Sequence, residues 1–128
     1  MLDTNVIIDA ARGRVPRAVE RMRTYAVGEL VMSAVTLGEL EHGWQAGKGD
    51  RQLAESFLSL VPALAFDEAA ARGYGAVMAK SERPPRGACD RFIAGHAHAL
   101  GLTVVTSNLA DFERFALIEI EDWGGDWG

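Results

Sequence analysis

The sequence has one cysteine, Cys89, among its 128 residues. That excludes an internal disulfide and a cysteine metal cage, and it fits a reducing compartment. There is no secretory leader and no apolar run of about 18 residues. We therefore expect a soluble, cytoplasmic protein with no membrane association. No Gly-rich phosphate loop is present: "VGEL" and "WGGDWG" lack the spacing and the following Lys. No nucleophile elbow is found either. His96 and His98 stand two apart on a helix and point to opposite sides, and His42 is alone, so the histidines offer no metal site. Positive charge is also short: 13 Lys and Arg against 18 Asp and Glu give a net charge of -5. A nucleic-acid binder usually carries a basic footprint. The deficit argues mildly against one, unless several acids gather in a metal site and are neutralised there.

What is present suffices for one domain. Apolar residues make up 48% and charged residues 24%, an ordinary globular balance for a chain able to bury its own core. No internal repeat or low-complexity block stands out. We expect a single domain over residues 1–123 and a flexible Gly-rich tail over 124–128. Short β-like runs alternate with helical stretches. The first strand ends at Asp3, and a helix follows over Asn5 to Arg12. Val15 to Tyr25 reads as a second helix, with Pro16 at its start. "ELVM" (Glu29 to Met32) reads as a strand. The helix Val35 to Ala46 follows, with Thr36 and Glu39 matching a capping box. Arg51 to Leu60 is helical and Pro62 to Phe66 is a strand. Asp67 caps a helix reaching about Lys80, which "ERPPRG" then breaks. Ala88 to Leu100 is a helix closed by Gly101. "TVVT" (Thr103 to Thr106) is a strand, Asn108 to Phe112 a helical turn, and Leu117 to Glu121 an edge strand. This alternation predicts an α/β fold: a parallel sheet with helices on both faces. In such sheets ligands bind beyond the carboxyl ends of the strands. Asp3 and the run Thr106-Ser107-Asn108 both belong at that rim.

The acids must be weighed one at a time. Asp3 suits a helix N-cap as well as a ligand. Glu39 is either the capping-box partner or an acid leaning over the rim, and periodicity favours it no more than Glu41. Asp90 says more. On a helix it shares the apolar face of Ile93, Ala94 and Ala97. A carboxylate there needs a partner, although the helix N-terminus also favours an anion. Asn108 reads as a turn former and Asp111 as a surface residue of the helical turn. Cys89 reads as small helix packing. Together these residues bring three carboxylates and an amide towards one rim. An all-oxygen ligand set suits Mg²⁺ or Mn²⁺ better than zinc.

Five stretches in this order, "MLDTNVIID", "MSAVTLGELEHG", "FDEAAARGYG", "CDRFIAGHAHALGLTVVTSNLADFERF" and "IEDW", resemble a PIN-domain protein of the VapC toxin group. The likeness covers nearly the whole chain. It implies an α/β/α sandwich around a mostly parallel sheet of about five strands. It also implies a metal-dependent ribonuclease, the toxin of a two-component module whose VapB-type antitoxin blocks the site and binds DNA at its own promoter. Carried over by residue, Asp3, Glu39 and Asp90 match the family's three acids. Asn108 takes a fourth position that is often Asp in PIN domains, which lowers the site's negative charge by one. Thr4, Asn5 and Thr106 would orient the ligands. The resemblance further implies a homodimer, for which Trp44 and the helix Val15 to Tyr25 are candidate faces.

The chemistry expected of this set is hydrolysis of an RNA phosphodiester by metal-activated water, leaving a 5′-phosphate and a 3′-hydroxyl. Lys80, Arg83, Arg86 and Arg91 cluster around the helix of Asp90 and could grip RNA phosphates. Two rivals remain at this point. A haloacid-dehalogenase-like phosphatase also has an Asp ending its first strand, but it needs a second Asp where Asn5 stands. A catalytically weak PIN fold that only binds RNA or a partner would suit the net charge and Asn108. Asp3 lies two residues from the first, so the first strand is very short. Either the chain starts here or further residues precede Met1.

Overall fold

The computed structural model describes residues 1–13 and 16–123, with backbone only for residues 16–18 and Phe57. The chain starts as an extended segment, Met1 to Asp3. Asp3 keeps extended backbone (φ -69°, ψ 152°), and its carboxylate accepts the Thr4 N–H at 2.8 Å, which starts α1 (Thr4–Ala11). Then come α2 (Pro16–Arg23), β1 (Met32–Ser33), α3 (Ala34–Gln45), α4 (Arg51–Leu58), β2 (Ala63–Leu64), α5 (Glu68–Lys80), α6 (Ala88–Leu100), β3 (Val104–Thr106), α7 (Leu109–Phe112) and β4 (Ile120–Asp122).

The strands form two parallel pairs, β1 with β2 and β3 with β4. Met1 to Asp3 joins them. The Leu2 N–H donates to the Val31 carbonyl at 2.8 Å on one side, and the Asp3 N–H donates to the Val105 carbonyl at 2.8 Å on the other. The spatial order is therefore β2, β1, the opening segment, β3, β4: five extended segments, as the resemblance implied. Successive residues on the central segments point to opposite faces. Leu2, Met32 and Val105 join one core with α1 (Val6, Ile7) and α3 (Leu40). Met1, Val31 and Val104 join the other with α5 (Val77), α6 (Ile93, Ala97) and α7 (Phe112). Helices thus cover both faces, which gives the α/β/α sandwich. Among the described residues no helix is long and apolar enough to cross a membrane.

Several boundaries differ from the sequence reading. The strand expected over Glu29 to Met32 lies at Met32–Ser33. A turn holds the earlier residues, with Gly28 at φ 92° and the Glu29 N–H donating to the Ala26 carbonyl. The edge strand moves from Leu117–Glu121 to Ile120–Asp122 because Leu117 adopts a left-handed backbone, φ 68°. β2 is shorter than Pro62 to Phe66, and α4 stops at Leu58 rather than Leu60. The capping box is not formed. Ser33 caps α3, its hydroxyl accepting the Val35 N–H at 3.1 Å, so Thr36 already lies inside the helix and Glu39 is free for other work. Trp123, the last residue of the expected domain, is packed into the fold. It is buried, stacks on Tyr25 at 5.9 Å between ring centroids, and donates its indole N–H to Glu121. Val15 and the tail 124–128 lie outside the described residues.

Candidate metal centre

Asp3 is 2% exposed at the carboxyl end of the opening segment. Both of its oxygens are held, Oδ1 by the Thr4 N–H at 2.8 Å and Oδ2 by the Thr106 hydroxyl at 3.0 Å. The N-cap reading of Asp3 holds, and the same carboxylate stands at the rim. Thr4 has a second task. Its hydroxyl donates to Glu39 Oε1 at 2.6 Å and lies 3.3 Å from the Thr36 hydroxyl. Glu39 is thus drawn from α3 towards the start of α1. Glu41 turns away and accepts from Arg51 and Gln45. Asn5 is exposed, and its side chain makes no hydrogen bond to Asp3 among the described residues.

Asp90 sits in the first turn of α6, half-buried, above a face of fully buried Ile93, Ala94 and Ala97. Burial pushes its carboxyl up to about 6, and the negative charges of Asp3, Glu39 and Asp111 add to the rise. Asp3 is also raised, chiefly by burial, against the pull of its hydrogen bonds to Thr106 and Thr4, with Glu39 adding to the rise. Asp3, Glu39 and Asp90 are therefore close enough to repel one another. Among the described residues none of the three is ion-paired with Lys, Arg or His. Buried carboxylates without a cation are costly.

Asn108 continues the set. Its N–H donates to the Thr106 hydroxyl at 2.9 Å, and its amide Nδ2 donates to Asp111 Oδ2 at 2.8 Å. A chain of contacts thus runs Asp3, Thr106, Asn108, Asp111. The sequence alone puts Asp111 on the surface. In the fold it faces the site, and the signal available was its place three residues after Asn108 on one helical turn. Cys89 also escapes sequence reasoning. Its thiol is raised first by burial and then by Glu39 and Asp90, so it lies against the acids rather than only packing α6. Of the four cations, Lys80, Arg83 and Arg86 are exposed, whereas Arg91 is tied through Nε to the Pro85 carbonyl.

The set fits a hard divalent cation by its chemistry: oxygen donors only, high charge density and no competing cation. It does not form a closed cage. Among the described residues no three His, Cys, Asp or Glu side chains stand close enough to enclose an ion. Asp3 is held by Thr106 and Thr4, and Glu39 by Thr4.

The family model for the PIN domain matches residues 1–117. The chain belongs to the PIN-domain family. Its likeness to the VapC ribonucleases extends over almost all of its length. The tRNA(fMet)-specific endonuclease VapC of Shigella flexneri is 38% identical, covering 96% of each chain. Among solved structures, the DNA-bound VapBC of Salmonella typhimurium matches with a TM-score of 0.82 at 37% identity over 96% of each chain. VapBC2 of Rickettsia felis, bound to a promoter DNA fragment, matches with a TM-score of 0.84 at 27% identity over 96% of this chain and 97% of that one. This PIN domain is therefore of the VapC type, and the phosphatase alternative finds no support.

The raised carboxyls have a consequence for stability. Asp90 binds its proton more tightly in the fold than in the unfolded chain. Its contribution to stability is complete below roughly pH 4 and is lost as pH rises through about 6. Above that pH the metal-free PIN domain holds repelling charges that a cation would relieve. Mn²⁺ is expected to raise Tm by several degrees at pH 7.5 and much less at pH 5, where protons compete with the ion. Thermal unfolding with Mn²⁺ or EDTA at both pH values checks this. Equal shifts at the two would mean that the ion binds away from these acids.

Proposed function

We propose that this VapC-type PIN domain is an endoribonuclease that uses Mg²⁺ or Mn²⁺ held by Asp3, Glu39 and Asp90, with Asn108 beside them. One observation carries the reading: the 2%-exposed Asp3, Glu39 drawn to the Thr4 hydroxyl, and Asp90 in the first turn of α6 have no cation paired to them among the described residues. When bound there, the ion supplies acidity to a water and positive charge to the phosphate under attack. Thr106 and the Thr4 N–H hold both oxygens of Asp3, so the orientation of that carboxylate is fixed before any ion binds. The Thr4 hydroxyl does the same for Glu39. Asn108, itself held to Asp111, presents a neutral amide beside the acids.

The same reading makes the chain the toxin of a two-component module, acting in the cytoplasm, with a VapB-type antitoxin as partner; the solved neighbours are toxin–antitoxin complexes. An apolar groove between α1, α3 and α4, lined by Ile8, Leu40, Trp44 and Leu53, adjoins Glu39 and supports a partner that covers the site. A homodimer belongs to the reading as well, with α2 as the face to examine. Trp44 suits that face less, since it is half-buried in the groove with the Arg51 guanidinium over its ring.

Initiator transfer RNA is the first substrate to test, because the Shigella flexneri relative carries that specificity in its name. The antitoxin-free protein is incubated with total RNA and with initiator transfer RNA, in Mg²⁺, in Mn²⁺ and in EDTA. The expected result is cleavage in the metals alone, leaving 5′-phosphate and 3′-hydroxyl ends. Cleavage that survives EDTA would overturn the metal assignment. Mn²⁺ binding without cleavage of any RNA would favour the non-catalytic binding domain.

A further inference from the structure

We propose that the cleft between the end of α5 and the end of α7 is a second phosphate-binding subsite for the RNA strand, formed by Lys80, Arg83 and Arg114. It rests on the ribonuclease reading above and adds a place where the strand is gripped away from the acids.

The cleft has a volume of about 530 Å³, within the roughly 300–1,000 Å³ of small-molecule pockets. Lys80, Arg83 and Arg114 line it, together with Glu82 and Glu113. All three cations are exposed, and none has a side-chain ion pair or hydrogen bond among the described residues, although two acids share the cleft. Exposed Lys and Arg near carboxylates commonly pair with them, as Arg72 does with Glu68 and Arg51 with Glu41. Three free cations in one concavity, on a chain of net charge -5, are the kind of local excess that a polyanion seeks.

The walls are held in place. Ser81 joins them: its hydroxyl donates to the Val77 carbonyl at 2.6 Å and accepts the Ala116 N–H at 2.9 Å. Phe115 is buried beneath. The loop that presents Arg83 and Arg86 contains Pro84 and the buried Pro85, whose carbonyl accepts from Arg91. The backbone of the cleft is thus fixed, and the ordering cost of binding falls on the three cationic side chains.

Its walls also lead to the acids. The Arg83 wall runs through Arg86 into α6 and Asp90. The Arg114 wall is the end of α7, the turn that begins at Asn108 and carries Asp111. In the proposed path, a strand cut between Asp3 and Asp90 continues past Arg86 into the cleft. Arg114 had no place in the sequence reading, because its nearness to Lys80 and Arg83 is made only by folding.

The test is equilibrium binding of fluorescently labelled initiator transfer RNA in EDTA, which suspends metal-dependent cleavage. The wild-type protein is compared with the triple variant Lys80→Gln, Arg83→Gln, Arg114→Gln, with Arg114→Gln alone, and with Arg72→Gln as a basic residue of α5 outside the cleft. Circular dichroism checks that each is folded. Kd is expected to rise about tenfold or more in the triple variant and severalfold in Arg114→Gln, with Arg72→Gln near wild type. The slope of log Kd against log salt should flatten by about 0.7 for each phosphate that is no longer neutralised. An unchanged Kd in the triple variant, or an equal loss in Arg72→Gln, would overturn the subsite. Wild-type cleavage in Mn²⁺ is measured separately. RNA bound through the cleft but never cut would sink the catalytic reading while the subsite stood. RNA cut normally with the triple variant binding unimpaired would do the reverse.

Discussion

Replacing Asp90 by Asn is expected to cut metal-dependent RNA cleavage by about a hundredfold or more and to leave the metal-free fold, at neutral pH, as stable as before or more stable. Residues that only orient metal ligands cost about 10–100-fold when removed, so a direct ligand should cost at least the upper end. The stability half follows from the charges. In the metal-free chain Asp90 is raised to about 6 by burial and by repulsion from Asp3, Glu39 and Asp111. An amide of the same shape removes that repulsion. It should also abolish most of the Mn²⁺-induced rise in Tm at pH 7.5. Lost cleavage, a lost metal shift and an intact or raised metal-free Tm would together mark a ligand rather than a fold-supporting residue. Full cleavage by Asp90→Asn would remove Asp90 from the site, and lost cleavage with a sharply lower Tm would make it structural.

Asp90 was also the most legible part of the site. A carboxylate on a face shared with Ile93, Ala94 and Ala97 contradicts its local pattern, and α6 shows that face buried. The bounds of α6 agreed with the reading because the signals are local: a break at "RPPRG" before it and Gly101, at φ 66°, after it. The Asp67 cap of α5 was equally local, its carboxylate accepting the Ala70 N–H at 3.0 Å. Strand bounds were less legible. β1 and β2 are two residues long and parallel, so neither length nor alternation marks their ends. For Glu39 the sequence left two alternatives open. Thr36 and Glu39 fit a capping box locally, but Ser33 caps the helix, and Thr4, 35 positions before Glu39, claims its carboxylate. Cys89 and Arg114 were missed in the same way, and the role of Asp111 stayed open: what they face is set by elements distant in sequence.

Gly95→Ala is the second large effect, and it concerns a residue whose sequence context says nothing. An isolated glycine in a helix reads as a modest weakness of about 1 kcal/mol relative to Ala. In α6 it is a contact point. A Cβ on Gly95 would stand 2.4 Å from Tyr74 Cα and 2.6 Å from Tyr74 N, and one on Gly73 would stand 2.3 Å from the Gly95 carbonyl oxygen. These neighbours are backbone atoms, so no rotamer change relieves the overlap and α5 and α6 must separate. That would open the aromatic stack of Tyr74 on Phe92, with centroids 4.8 Å apart, and shift the helix that carries Asp90. The expected cost is about 3 kcal/mol or more, a fall in Tm of roughly 10 °C or more. Gly75→Ala provides the contrast within α5. Nothing lies within 4 Å of its added Cβ, so the same substitution should stabilise by roughly 0.5–1 kcal/mol through the helix backbone alone. Thermal unfolding of the two variants should therefore move in opposite directions. If Gly95→Ala melted within about a degree of the wild type, the helices would not be as close as 2.4 Å implies. The α5–α6 contact would then no longer be the constraint that sets where Asp90 stands.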